Sequence, residues 1–192
     1  MTLFDTRPAI AATLTATAAD LGVDFDVDRF LRELGPPLET MVGEQVPAET
    51  VPRFVDHYRE IYERVGLPAA RLMPGARESL AAVRSGGGES IVITGKNSHD
   101  ARCHVRAADL DVVEVIGWAW ADGKTDALKR HGAIAYAGDH PADTAAARAA
   151  DAVAIAVTTG SHAAEDFPTA DVVLPSLVEF PRWWDEYLQA QG

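Results

Sequence analysis

The chain has 192 residues, with 17 Lys or Arg against 29 Asp or Glu, a formal net charge of −12 with histidine neutral. At roughly 100–200 residues per domain, that length is one domain or a core with a modest insertion. An apolar share of 47% with 24% charged residues is globular rather than disordered composition. The acidic balance and the lack of any basic run argue against nucleic acid as a partner. No apolar run approaches the ~18 residues of a membrane span, and the N-terminus lacks a basic stretch followed by an apolar one, so no membrane association is expected. A single cysteine, Cys103, cannot form an internal disulfide, and neither CxxC nor HExxH spacing occurs. A cytoplasmic location fits.

From Pro8 to about Leu67 the pattern predicts helices. Pro8 suits a first helical turn, with Asp5 or Thr6 as its cap. Ile10, Leu14 and Leu21 lie on one stripe, and Gly22 ends the run. Asp28–Leu34 reads as a second short helix closed by Gly35-Pro36-Pro37, and a third runs from near Pro37 to Gly43. Glu49–Val65 is a fourth, with Val51, Phe54, Val55, Tyr58, Ile61, Tyr62 and Val65 at helical spacing. Four helices with short connections make a small bundle.

After Pro74 the pattern alternates. Helices are predicted over Ala76–Arg84, Asp100–Ala108, Thr125–His131, Ala142–Ala150 and Leu177–Leu188. Strands are predicted over Ser90–Ile93, Val112–Ile116, Ala133–Ala137, Ala152–Val157 and Asp171–Leu174. Such alternation specifies right-handed βαβ units in a parallel sheet covered on both faces, an α/β, Rossmann-like core.

In such a sheet, ligands bind beyond the carboxyl ends of the strands. Ile91-Val-Ile93 runs into Thr94-Gly95, a hydroxyl and exposed backbone N–H groups ahead of a helix, which is an anion cradle or equally an N-cap turn. Ala135-Tyr-Ala137 runs into Gly138-Asp139-His-Pro-Ala-Asp143, where two carboxylates four apart suit a hard cation, above all Mg²⁺. Asp143 could instead serve the positive end of the next helix. The third segment is Gly123-Lys124, in a chain with only three lysines, Lys96, Lys124 and Lys129. A lysine amine can hold a phosphate oxygen, although alone Lys124 would read as a solvated surface residue. The six histidines show no metal spacing and are expected at the surface or behind the site. Trp118, Trp120, Trp183 and Trp184 are expected to be packing aromatics. GxSxG, Walker and GxGxxG signatures do not occur.

The ordered set Thr94-Gly-Lys, Lys124 and Gly138-Asp-His-Pro-Ala-Asp143 resembles the haloacid dehalogenase superfamily, most closely its phosphoglycolate-phosphatase-like branch with a helical cap. Pro74-Gly75, Ala145–Ala150 and Thr158-Thr-Gly160 extend the similarity over nearly the whole chain. The resemblance implies a helical cap over 8–68 and an α/β core over 1–7 and 69–192. It makes Thr94 and Gly95 the phosphoryl-binding pair, Lys124 the third-motif lysine, and Asp139 and Asp143 the Mg²⁺ ligands. It also makes Gly35-Pro-Pro-Leu38 a substrate-facing cap loop. The activity implied is a Mg²⁺-dependent phosphatase acting on a small phosphorylated metabolite through an aspartyl-phosphate. Oligomeric state has no signal in the residues.

One motif departs from the family. The first is DxDGT, and here Thr2 aligns with its threonine and Met1 with its glycine, so the attacking aspartate and the acid–base aspartate would both lie upstream. Asp5 matches a later aspartate near the cap hinge and is not promoted to nucleophile. In-line phosphoryl transfer needs an attacking oxygen, so the chain is expected to be inactive or impaired. The alternative is a non-catalytic phosphate- or ligand-binding protein of the same fold; a receiver-like signalling domain is disfavoured by the helical insertion. The resemblance also places the central first strand between those ending at Ile93 and Ala137. These two are therefore expected to face each other across a gap, or across Met1–Phe4. A longer protein of which this is a part explains the pattern more simply than a domain lacking its middle strand. A misplaced start codon, a deliberate shortening and a decayed gene stay open as its origin.

Overall fold

The computed structural model describes residues 1–34 and 36–191. Two compact units emerge, one of Asp5–Arg71 and one of Met1–Phe4 with the chain from Leu72 onward. The helical unit begins in β1 (Phe4–Asp5) and contains α1 (Arg7–Leu21), α2 (Val27–Arg32), α3 (Leu38–Gly43) and α4 (Val51–Val65). Pro8 does sit in the first turn of α1. Asp5 rather than Thr6 receives the Arg7 backbone N–H, at 3.1 Å, and binds its guanidinium. That guanidinium holds the Asp5 carboxyl below its ordinary value.

The unit's core is Leu14, Phe30, Met41, Val42, Phe54, Val55, Tyr58 and Tyr62, with Phe25 stacked on Phe54 at 4.8 Å. The buried face of α1 differs from the expected stripe: Ile10 and Leu21 are half-buried, while Ala9, Thr13, Thr17 and Ala18 are buried with Leu14. A threonine can occupy that face because its hydroxyl bonds within its own helix, as Thr13 does to the Ala9 carbonyl at 2.8 Å. The expected cap loop Gly35-Pro-Pro-Leu38 has its first residue outside the described residues, as does that part of the predicted stop of α2.

The second unit follows the predicted alternation: β2 (Arg71–Leu72), α5 (Ala76–Ser85), β3 (Ile91–Ile93), α6 (Ser98–Ala107), β4 (Glu114–Ile116), α7 (Asp122–His131), β5 (Ala135–Gly138), α8 (Pro141–Ala149), β6 (Val153–Val157), β7 (Val172–Leu174) and α9 (Phe180–Gln191). β1 and β2, too short to predict, pair with each other. β3 pairs with β4 in parallel, Ile91 opposite Glu114. β6 lies between β5 and β7, both parallel to it, with Ala135 opposite Val153 and Ile155 opposite Val172. The innermost strand is also the most buried, with Ala154–Val157 all buried, as a strand covered on both faces requires.

Several helix boundaries shift by one to three residues, and those of α7 and α9 matter most. α7 starts at Asp122, so Lys124 stands in a helical first turn and not in a loop. Leu177–Glu179 form a 3₁₀ turn ahead of α9, with the Ser176 hydroxyl accepting from Val178 N–H at 3.2 Å. Among the described residues no ladder joins β3 to β5, which fall in different sheets. Leu3 packs against the same buried cluster as Ala135 and Ala137 of β5, and its carbonyl accepts from Met73 N–H at 2.9 Å. Among the described residues no helix is long and apolar enough to cross a membrane.

Candidate functional site

The carboxyl end of β5 carries the acidic segment. Asp139 follows Gly138; its Oδ1 accepts from the Thr2 hydroxyl at 2.8 Å and its Oδ2 pairs with the Met1 amine. The Met1 carbonyl accepts from the Thr159 hydroxyl at 2.6 Å. Two close approaches shape this place. A Cβ on Gly160 would collide with Asp139 Oδ2, and one on Gly138 with the Asp143 carboxyl, so both carboxylates sit in cradles that only glycine leaves open.

Asp143 stands in the first turn of α8, where its Oδ2 accepts from His140 N–H at 3.1 Å while His140 Nδ1 accepts from Ala142 N–H at 3.0 Å. It thus serves the helix N-terminus, the alternative weighed from sequence, and at the same time its Oδ1 pairs with Lys124. Lys124 is 7% exposed, not the solvated residue that it would be read as on its own. An ammonium in the first turn of α7 opposes the helix dipole, and a buried charge persists there only because the carboxylate partners it. Burial and the Asp143 carboxylate push the Tyr136 phenol well above its ordinary pKa. The same hydroxyl donates to the Ile93 carbonyl at 3.1 Å, which ties the β5 edge to the end of β3.

Thr94 follows β3. Its backbone N–H donates to Ile116 at 2.9 Å, its carbonyl accepts from Ala119 at 3.0 Å, and its Oγ1 accepts from Lys96 N–H at 3.2 Å. Asn97 Oδ1 then caps α6 through Asp100 N–H at 2.8 Å. Thr94-Gly95 and Lys124 flank one indole: a Cβ built on Gly95 would lie 3.2 Å from Trp120 Cε3, and Lys124 Nζ lies 5.7 Å from the Trp120 ring centroid. Thr94, Gly95, Lys124, Asp139 and Asp143 are therefore linked through Trp120, Tyr136 and the start of α8.

Two expectations fail, both for tryptophans. Trp118 and Trp120 are 61% and 50% exposed, not packed, whereas Trp184 is buried. His104 is 3% exposed, against the Phe4 ring at 5.1 Å. Burial, with the Lys96 charge, lowers its pKa to about 4, and burial lowers Lys96 itself to about 8. Burial and the neighbouring His162 also hold His140 below the usual imidazole value. Sequence reasoning aligned Thr2 with the first-motif threonine and counted Thr159 in the resemblance without giving either a contact with Asp139 or Met1; it passed over Tyr136, whose signal was a polar residue inside an apolar strand. A separate cleft of about 590 Å³, lined by Asp20, Arg53, Asp56, His57 and Glu60 on α1 and α4, contains none of the predicted site residues.

A parallel α/β core with acidic, lysine and threonine segments at its strand ends defines a class, and the comparisons agree with it. Residues 1–119 match the family model described as haloacid dehalogenase-like hydrolase, and the chain belongs to that family. It is 28% identical over 197 residues to the probable phosphatase IndB of Dickeya dadantii, covering 88% of this chain and 83% of that one. Among solved structures it resembles a haloacid dehalogenase-like hydrolase from Streptococcus pneumoniae (TM-score 0.78, 23% identity, 95% and 93% covered). It also resembles a predicted phosphoglycolate phosphatase from Haemophilus somnus (TM-score 0.79, 16% identity, 94% and 92% covered).

Proposed function

We propose that this chain binds the phosphoryl group of a small phosphorylated metabolite as a Mg²⁺-dependent phosphatase does, with little or no turnover of its own. The observation that supports this most is the buried Lys124–Asp143 pair beside Asp139 at the end of β5. Lys124 would offer its ammonium to a phosphoryl oxygen, while the Thr94 hydroxyl and the Gly95 N–H donate to others. Family membership and the phosphatase names carried by IndB and the Haemophilus protein point the same way.

The donor set fits Mg²⁺, a hard ion that takes oxygen ligands and keeps several waters. Asp139 and Asp143 supply carboxylate oxygens only, and the glycine cradles at 138 and 160 hold them close to the backbone. When bound, the ion would offset phosphoryl charge. Asp143 would hold it while keeping Lys124 in place.

None of these groups is an attacking oxygen. The aspartyl-phosphate route implied by the resemblance needs a carboxylate in line with phosphorus, and Asp5 is engaged by Arg7. With p-nitrophenyl phosphate and Mg²⁺, turnover is expected at background level. Turnover that Asp139→Asn abolishes would contradict the proposal. The genomic codons preceding Met1 decide between the two forms of the reading: DxDG there describes an enzyme, another sequence a non-catalytic binding protein. A cytoplasmic location accompanies both.

A further inference from the structure

The exposed indole of Trp120 has no part in holding phosphate or metal, yet it borders both halves of the proposed phosphoryl site. Its six-membered ring edge lies beside Gly95, and Lys124 Nζ lies 5.7 Å from its centroid. On another side the His140 ring stands at 5.8 Å. Half of the residue still faces solvent. A large apolar ring left in water is ordinary when it stands alone on a surface. Here it stands at the mouth of a charged site, which calls for a different reason.

The backbone supplies one. Residues 117–121 connect β4 to α7 through two non-glycine residues with positive φ, Trp118 at +57° and Ala121 at +43°. Ala121 combines that φ with a ψ of −112°, a sparsely populated conformation that persists only where the surroundings impose it. The loop is tied to the Thr94 loop at two points, Trp118 N–H to the Lys96 carbonyl at 2.8 Å and Ala119 N–H to the Thr94 carbonyl at 3.0 Å. Trp120 is thus held at a fixed place by strained backbone, which is unnecessary for a solvated side chain.

We infer that Trp120 is a specificity residue of the proposed phosphoryl site, stacking against a flat aromatic or heteroaromatic ring carried by the leaving group of a phosphate monoester. The inference rests on the phosphoryl-binding reading. An indole presents a broad π face at small entropic cost, since two torsions fix it, and it prefers offset-stacked or edge-to-face partners at centroid distances of roughly 4.5–7 Å. A ring bonded to the oxygen of a phosphoryl group held by Gly95 and Lys124 would lie next to the indole that borders both residues. An open-chain polyol phosphate presents no such face.

The test titrates the full chain with Mg²⁺ and, separately, inorganic phosphate, glycerol phosphate and phenyl phosphate, by calorimetry. Phenyl phosphate is expected to bind about tenfold more tightly than glycerol phosphate. That ratio should fall towards one in Trp120→Ala and return in Trp120→Phe, which keeps a flat ring. A ratio near one in the parent chain, or a tenfold ratio that survives Trp120→Ala, overturns the inference while phosphate binding leaves the proposed function standing. If neither phosphate nor either ester binds, the proposed function falls and takes the inference with it.

Discussion

Lys124 shows how one residue changes meaning between text and fold. As a letter in a polar segment it reads as a solvated amine; in the structure α7 starts two residues before it and its ammonium is buried against Asp143. Removing one member of a buried pair leaves the other charge uncompensated, which costs about 3–5 kcal/mol. Lys124→Ala should therefore lower the unfolding free energy of the α/β unit by about that much. The four tryptophans all lie in this unit, so urea unfolding followed by tryptophan fluorescence reads it; a loss under 1 kcal/mol would show the pair to be solvated. Burial also sets His104. Its folded pKa of about 4 lies below the unfolded ~6.5, so the folded state resists its protonation. The sign follows: stability is intact above pH 6.5 and declines as pH falls from there towards 4, by on the order of 3 kcal/mol. A histidine titration by NMR should show His104 neutral down to about pH 4; an inflection near 6.5 would refute the buried placement.

Among the elements, those with strong internal patterns were legible. The αβ alternation, the four helices of the first unit and the run of strands ending at Thr94 and Asp139 follow from periodicity and turn residues alone. What escaped depends on tertiary neighbours. β1 and β2 are two residues each and exist only because they pair. The buried face of α1 could not be read from Ile10 and Leu21, because Thr13 and Thr17 are buried beside Leu14, Thr13 with its hydroxyl bonded to the Ala9 carbonyl and Thr17 with no partner among the described residues. Residue type alone suggests packing for Trp118 and Trp120, yet a loop with two positive φ values holds them at the surface. By contrast Trp183 and Trp184 pack as expected: Trp184 is buried against Phe180 at 5.7 Å, and Trp183 stacks on Tyr187 at 5.3 Å. Trp184 thereby fastens α9 to the core containing Ile155, Val157 and Leu174. Trp184→Ala should cost about 3–5 kcal/mol, the usual range for emptying a large aromatic site, read as a lower urea midpoint. An unchanged midpoint would mean that α9 contributes little to the core.

At the scale of the molecule, family membership and the arrangement of the strand ends carry the functional reading, and sequence supplied both before the structure did. It left out the side chains that join the segments. Tyr136 spans from β5 to the Ile93 carbonyl, Trp120 lies beside both Gly95 and Lys124, and Thr2 reaches Asp139 across the chain. No spacing rule could announce these, because each depends on where two distant segments come to rest. Thr94, Lys124 and Asp139 are proposed to form one pocket for a Mg²⁺-associated phosphoryl group. Calorimetric titration of inorganic phosphate in the presence and absence of Mg²⁺ examines that pocket without requiring turnover. Binding should be strengthened by Mg²⁺, and should weaken at least tenfold in each of Thr94→Val, Lys124→Ala and Asp139→Asn. Phosphate binding that ignores Mg²⁺ and survives all three substitutions would contradict it.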